Sequence, residues 1–147
     1  MPGLNANQLG QYLDDYGWTY YEHSHDTLMS GWQTDKRSYP LTLNLSDTCL
    51  SLAVEPLLKL DIDWSLWPEI VRDILELNQD IQLAKLALTP EGSIVLSCQM
   101  LTKNMTYENF SDTLGIIGYY AEELYDQLFD RIFKSGLLTP HHSKFLT

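Results

Sequence analysis

The sequence predicts an α+β fold in which helices pack on one side of an antiparallel sheet. Leu41, Leu43 and Leu45 alternate with polar residues, which is typical of a strand with one buried face. Between residues 66 and 101, a run with helical spacing precedes two strand-like runs that are joined by Thr89-Pro90-Glu91-Gly92. Pro and Gly favour a turn there, so this segment predicts a helix leading into a β-hairpin.

The first half of the chain predicts a short helix and then an antiparallel meander. Asn5 or Asn7 can cap a helix that runs to Tyr16. Extended segments then follow at residues 18–23, 27–34, 39–45 and 49–54. We expect Pro56 to end the last strand, because proline cannot donate to a strand ladder, and residues 55–63 to form a loop.

The second half predicts a helix, the hairpin and a long last helix. The second helix is expected from Ser65 to Gln79. The hairpin strands then fall at residues 81–88 and 93–101. The stretch from Thr106 to Asn109 offers a cap for the last helix, which ends by Gly136. Its apolar residues recur at steps of three and four: Phe110, Leu114, Ile117, Ala121, Leu124, Leu128 and Ile132.

Length and composition favour one folded domain. The 147 residues are expected to form a single domain, with a core at residues 5–135 and a tail at 136–147. No window approaches the roughly 20 apolar residues of a membrane span. Residues 1–5 lack the basic and apolar parts of a secretory signal, so we expect residence in the cytoplasm.

Charge is the strongest compositional bias. Nine basic against 20 acidic side chains leave a net charge of −11. Such a chain repels phosphate backbones and anionic lipids, so we expect neither nucleic-acid nor membrane binding. Solubility, a basic partner or a cationic ligand all suit this charge. Cys49 and Cys98 are expected to be reduced packing residues, with a disulfide or a redox role as the weaker alternative.

Two histidines are the best metal candidates. His23 and His25 share one side of an extended segment, and Asp26 follows. Zinc takes at least three protein ligands, and no third His or Cys has suitable spacing. His141 and His142 are neighbours and so converge poorly on one ion. A partly exposed strand end is therefore the preferred interpretation, and we expect no metal and no cofactor.

No catalytic motif is present. Asp14-Asp15 and Asp61-Ile62-Asp63 are acidic pairs, but acid–base chemistry needs two carboxylates in different environments. The sequence has no nucleophile elbow, zinc-protease motif or glycine-rich phosphate loop. We therefore expect no catalytic residue. The alternative is a small-ligand sensor or enzyme in which His23, His25, Asp61 or Asp63 converge on a pocket between sheet and helices.

Aromatic residues are dense between positions 16 and 39. Aromatic side chains on a strand edge or a sheet face are typical anchors for a peptide or a second subunit. The predicted partner-binding residues are Trp18, Tyr20, Trp32 and Tyr39. The alternative is core packing, because strands favour aromatics. The polar face of the meander is a second candidate surface, with Thr42, Asn44, Ser46 and Ser51.

Several segments in this order resemble one known family. They are Trp67-Pro68-Glu69-Ile70, Leu77-Asn78-Gln79, Leu83-Ala84-Lys85-Leu86-Ala87-Leu88, Gly92-Ser93-Ile94-Val95-Leu96 and the last helix from Phe110 through Ala121, Leu124 and Tyr125. Together they resemble the bacterial YbjN-like family of sensory-transduction regulators, which is similar in fold to the type III secretion chaperones. The resemblance spans Leu9 to Phe133 and brings no active site.

The resemblance implies a small acidic binding protein that holds a partner segment on its sheet and helices, often as a homodimer. Together with the missing catalytic motifs, it favours a non-enzymatic interaction, chaperone-like or regulatory domain. The expected partner is a protein, a peptide or a second copy of the chain.

Overall fold

A computed structural model describes residues 4–60 and 64–134. Its elements are α1 (Ala6–Tyr16), β1 (Tyr21–Ser24), β2 (Thr27–Gln33), β3 (Ser38–Leu45), β4 (Cys49–Lys59), a 3₁₀ turn (Trp64–Leu66), α2 (Trp67–Asn78), β5 (Ala84–Leu88), β6 (Ser93–Leu101) and α3 (Tyr107–Lys134). The strands form one antiparallel sheet in the order β1-β2-β3-β4-β6-β5. The predicted α+β architecture is confirmed, and the hairpin extends the meander because β6 pairs with β4.

Both predicted helix caps are present. The Asn5 side chain accepts a hydrogen bond from the Gln8 backbone N–H at 2.9 Å, and the Gln8 side chain accepts from the Asn5 N–H at 3.0 Å. This reciprocal pair satisfies two N–H groups that a helix start leaves free. Thr106 Oγ1 likewise accepts from the Asn109 N–H at 3.1 Å. The polar residues that precede these helices therefore fix where they begin.

One face of the sheet forms the core. Leu41, Val54, Leu96 and Leu86 lie opposite one another across β3, β4, β6 and β5, and all four are buried. Residues directly opposite in a ladder share a face, so this row crosses the sheet on the side that the helices cover. The predicted apolar stripe of α3 packs into the same core. Each such side chain contributes about 1.5–3 kcal/mol on burial.

The expected loop at residues 55–63 is wrong for its first part. β4 continues through Pro56 to Lys59, and Leu57 and Leu58 are buried. The pairing of β4 with β6 shifts register between Val54 and Leu58, so Pro56 falls where the ladder is irregular. A bulge tolerates proline because the missing N–H is not needed there. Asp61 and Asp63 lie outside the described residues.

Three other boundaries differ from the expected ones. β1 begins at Tyr21, and α2 begins at Trp67 after the 3₁₀ turn. β5 begins only at Ala84, because Leu83 has a φ of 68°, which is left-handed backbone and not strand. The Gln82 N–H, just before it, donates to the Tyr120 hydroxyl of α3 at 3.0 Å. A contact with the last helix therefore delays the start of the strand.

The outer edge of β5 is closed by a side chain. The Asn78 amide nitrogen donates to the Leu86 carbonyl at 3.0 Å, and the Asn78 amide oxygen accepts from the Leu86 N–H at 2.7 Å. The last residue of α2 thus bonds both backbone polar groups of an edge-strand residue, as a neighbouring strand would. Exposed edges invite unwanted pairing, so this clamp protects the sheet at that side.

Candidate protein-binding surface

An aromatic stack lies at the β2–β3 end of the core. The Trp18 and Trp32 rings are stacked, with centroids 5.2 Å apart, and Trp32 stacks on Tyr39 at 4.9 Å. Tyr16 meets Trp18 edge-on at 5.1 Å. Offset stacking and edge contacts of this kind are favourable beyond the area they bury. The stack joins the C-terminal end of α1 to strands β2 and β3.

Arg37 holds the inner end of the stack. Its Nη1 donates to the Tyr39 hydroxyl at 3.0 Å, its guanidinium lies 3.5 Å from the centre of the Tyr125 ring, and it is 3.6 Å from Asp126. Burial raises the pKa of Tyr39 and of Tyr125, although the nearby Arg37 charge opposes both shifts. This cluster of neutral phenols and one cation ties the β2–β3 turn to α3.

Tyr20 packs against α1. A Cβ at Gly10 would collide with the Tyr20 hydroxyl, so a larger residue at position 10 would have to displace this ring. The Ser30 hydroxyl donates to the Thr19 carbonyl at 2.7 Å and fixes the preceding backbone to β2. Tyr20 remains 36% exposed and Tyr21 is 62% exposed. Two adjacent tyrosines therefore present their rings to solvent from an anchored segment.

A surface hollow of about 830 Å³ lies beside these tyrosines. Its lining includes Tyr20, Tyr21, Met29, Gly31, Trp32 and Tyr39, and we call it the aromatic hollow. Three of the four predicted partner-binding residues line it, namely Tyr20, Trp32 and Tyr39. The fourth, Trp18, stacks on Trp32. Tyr39 is only 2% exposed and offers almost no surface to a partner. The most exposed aromatic surface of the hollow therefore comes from Tyr20 and Tyr21.

Sequence reasoning did not select Tyr21 and Met29 as site residues. They lie directly opposite each other across β1 and β2. The register of β1 shifts between Glu22 and Ser24, so alternation along the sequence does not reveal the pair. The density of aromatics points to the β1–β3 end of the sheet, where the aromatic hollow lies.

The open face of the sheet continues from this pair. The row Tyr21, Met29, Thr42, Ala53, Ser97 and Lys85 crosses all six strands on the side opposite the core. Thr42, Asn44 and Ser51 of the second candidate surface lie on this face, where Asn44 donates to Thr27 and Gln99 donates to Ser51. Ser46 instead accepts from the Cys49 N–H within the β3–β4 turn. The middle of this face, at Thr42, Ala53 and Ser97, is built of small side chains.

The histidine pair lies on the surface. His23 and His25 are exposed, and His25 Nε2 is 3.8 Å from Asp26. The Asp26 carboxylate accepts hydrogen bonds from the Ser24 and Thr27 hydroxyls, which lower its pKa. Within residues 4–60 and 64–134, no three His, Cys, Asp or Glu side chains are placed to hold a metal ion. Asp61, Asp63, His141 and His142 lie outside the described residues.

The other candidate groups have structural surroundings. Asp14 and Asp15 are exposed on α1, and Gln11 donates to Asp15 at 2.9 Å. Cys49 is partly exposed and Cys98 is buried, and neither forms a disulfide. Burial raises the pKa of the Cys98 thiol. These contacts bring none of the four groups together with the histidines.

The sequence profile of the YbjN family, described as "Putative bacterial sensory transduction regulator", matches residues 5–130. The chain belongs to the YbjN family. The matched region runs from the cap of α1 into the last turns of α3, so it contains the whole sheet and the aromatic hollow. No curated protein sequence matches this chain.

Two solved structures share the fold. The crystal structure of YbjN from E. coli is 18% identical, with a TM-score of 0.57 over 93% of this chain and 97% of that chain. The structure of the ExsC–ExsE complex contains a chain that is 16% identical, with a TM-score of 0.60 over 85% of this chain and 97% of that chain. At these identities the likeness shows the fold. In the described part of this chain, none of the helices could span a lipid bilayer.

Proposed function

We propose that this YbjN-family domain is a non-enzymatic interaction protein that binds a segment of another protein at the aromatic hollow. The observation that carries this proposal is the adjacent exposed pair Tyr20 and Tyr21 beside a hollow of about 830 Å³. Tyrosine supplies large contact area with few rotatable bonds, and it is enriched among residues that dominate binding energy.

The side chains that form the hollow are held in place by contacts within the fold. Tyr20 rests on Gly10, and the stacked rings of Trp18 and Trp32 support the hollow from the core side. Side chains that are already ordered lose less entropy on association. Rigid walls with exposed aromatic surface therefore favour a specific protein contact.

The fold neighbour in the ExsC–ExsE complex supports a protein ligand, since its title describes a complex of two named proteins. The net charge of −11 favours a partner segment with basic residues and disfavours nucleic acid. The proposal includes residence in the cytoplasm, in keeping with the two free cysteines. A second copy of the chain remains the other partner that the family resemblance implies.

Affinity capture with mass spectrometry tests the proposal. The tagged full chain is compared with Tyr21→Ser, because Tyr21 is 62% exposed, whereas Tyr20 packs against α1 at Gly10. Leu75→Ser is the matched control, since Leu75 lies on α2 and is also 62% exposed. Loss of a hot-spot tyrosine weakens binding by about 2 kcal/mol or more, roughly 30-fold.

The expected result is a protein that wild type and Leu75→Ser retain and Tyr21→Ser loses. Light scattering of the purified chain identifies self-association. A dimer that Tyr21→Ser dissociates would make the second copy the occupant of the hollow. Partners retained equally by all three chains would contradict the proposed surface.

A further inference from the structure

A second surface lies at the other end of the sheet. It is a groove of about 550 Å³ between α3 and the segment that enters β5, and its walls include Leu83, Asp112, Gly115, Ile116, Tyr119 and Tyr120. We call it the α3–β5 groove. The groove lies at the β5 edge of the six-stranded sheet and the aromatic hollow lies towards the opposite edge, and five strand spacings, about 24 Å, separate the two edge strands β5 and β1.

One wall of the groove is an exposed leucine held in an unfavourable conformation. Leu83 is 75% exposed, although its φ of 68° is rare for a large side chain. The hydrogen bond from the Gln82 N–H to the Tyr120 hydroxyl holds the backbone beside it. Strained backbone of this kind persists only where its surroundings impose it, and it is frequent at binding sites.

The opposite wall is aromatic and supported from behind. Tyr119 is 62% exposed, and its ring meets that of Tyr120 edge-on at 5.5 Å. Tyr120 packs against the core and accepts the hydrogen bond from Gln82. The two walls are therefore joined through one tyrosine hydroxyl, which fixes the width of the groove.

The floor between the walls is bare. Nothing lies within 4 Å of the place where a Cβ of Gly115 would stand, and Ile116 beside it is only partly buried. Glycine is a poor residue for the interior of an exposed helix, and the fold does not require one at this position. The space above Gly115 is thus available to a side chain from outside.

Charge decides between possible occupants. Among the described residues that line the groove, Asp112 is the only charged one. The chain carries −11, so a second copy brings like charge, whereas a basic partner is attracted. We propose that the α3–β5 groove binds a segment of another protein that places a large apolar side chain over Gly115 and a Lys or Arg at Asp112. This rests on the proposed protein-binding function but uses a separate surface.

A random library of phage-displayed 12-residue peptides tests the groove. Peptides are selected on the full chain alone, and each selected peptide is then tested for binding to Gly115→Leu, which fills the groove. Gly118→Leu is the matched control, because Gly118 also lies within α3, has open space at its Cβ position and does not line the groove. Both substitutions raise helix propensity, so both variants are expected to fold.

Synthetic versions of the selected peptides are then measured by fluorescence anisotropy. We expect them to combine Leu or Phe with Lys or Arg, and to bind Gly115→Leu at least about tenfold more weakly than Gly118→Leu. Asp112→Asn weakens binding and reduces its salt dependence. Leu83→Asn, which tolerates the left-handed backbone, also weakens binding. Peptides with Glu in place of Lys or Arg do not bind.

Three outcomes would overturn the proposal: no selected peptide, equal binding to the two glycine variants, or a dimer of wild type that Gly115→Leu dissociates. Tyr21→Ser separates this site from the aromatic hollow. Peptides that lose affinity for Tyr21→Ser and keep it for Gly115→Leu would support the proposed function while contradicting the groove. Peptides that bind the groove, together with a Tyr21→Ser chain that still captures every protein that wild type captures, would support the groove and contradict binding at the aromatic hollow.

Discussion

Asn78→Ala removes the clamp that closes the β5 edge. The asparagine makes two hydrogen bonds, to the Leu86 carbonyl and from the Leu86 N–H, and Leu86 is buried. A hydrogen bond contributes about 1 kcal/mol to stability, so the variant loses about 2 kcal/mol of its free energy of unfolding. The loss is larger if the backbone N–H and C=O of Leu86 remain shielded from water. In a domain of this size, that loss lowers Tm by about 4–8 °C.

Urea unfolding followed by far-UV circular dichroism measures this loss. Gln79→Ala is the control, because Gln79 is adjacent and exposed at the end of α2, and we expect it to change stability by less than about 0.5 kcal/mol. Hydrogen exchange gives a second readout at one atom, since the Leu86 amide loses its acceptor. Equal stabilities for the two variants, or an unchanged exchange rate at Leu86, would refute the clamp.

Three further predictions follow from buried groups. Leu43→Asp and Ile117→Asp each place a carboxylate at a fully buried position, which lowers the free energy of unfolding by several kcal/mol. A melting curve unchanged from wild type would contradict the assigned face of β3 or of α3. Iodoacetamide at pH 8 labels Cys49 faster than Cys98, because Cys98 is buried and burial raises its thiol pKa; mass spectrometry showing equal rates would contradict this. Burial raises the pKa of Tyr39 in the folded state, so this phenol ionises at lower pH in the unfolded chain, and the stability of the fold falls as pH rises above about 10. Urea unfolding from pH 8 to 11 should show a smaller decline for Tyr39→Phe than for wild type. Parallel curves of stability against pH for the two chains would contradict this.

Local patterns predicted the elements that local physics controls. The alternation of Leu41, Leu43 and Leu45 defined the buried face of β3, and the apolar stripe of α3 is buried throughout. The Asn5 and Thr106 caps were visible because capping needs a polar side chain within three residues of the N–H groups it serves.

Features that depend on distant residues were not predictable in this way. Pro56 predicted the end of a strand, but β6 pairs with β4 on both sides of the irregular stretch and carries the strand through it. Arg37 meets Tyr125 only because the β2–β3 turn is packed against the last helix. No periodicity encodes such a contact, since its partners are far apart in the chain.

The same limit applied to the candidate site. Aromatic density pointed to the β1–β3 end of the sheet, and Tyr20, Trp32 and Tyr39 line one hollow there. It did not distinguish exposed from buried rings, because Tyr39 is covered by Trp32, which lies opposite it only through the pairing of β2 with β3. The pairing of exposed Tyr21 with partly buried Met29 lies beside an irregular register.

Site-specific photo-crosslinking tests the central claim most directly. A photoreactive phenylalanine analogue replaces Tyr21 in one full-length chain and Leu75 in another, two positions of equal exposure on different faces. We expect the analogue at Tyr21 to capture a discrete protein in living cells and the analogue at Leu75 to capture none. Capture from Leu75 with none from Tyr21 would contradict binding at the aromatic hollow.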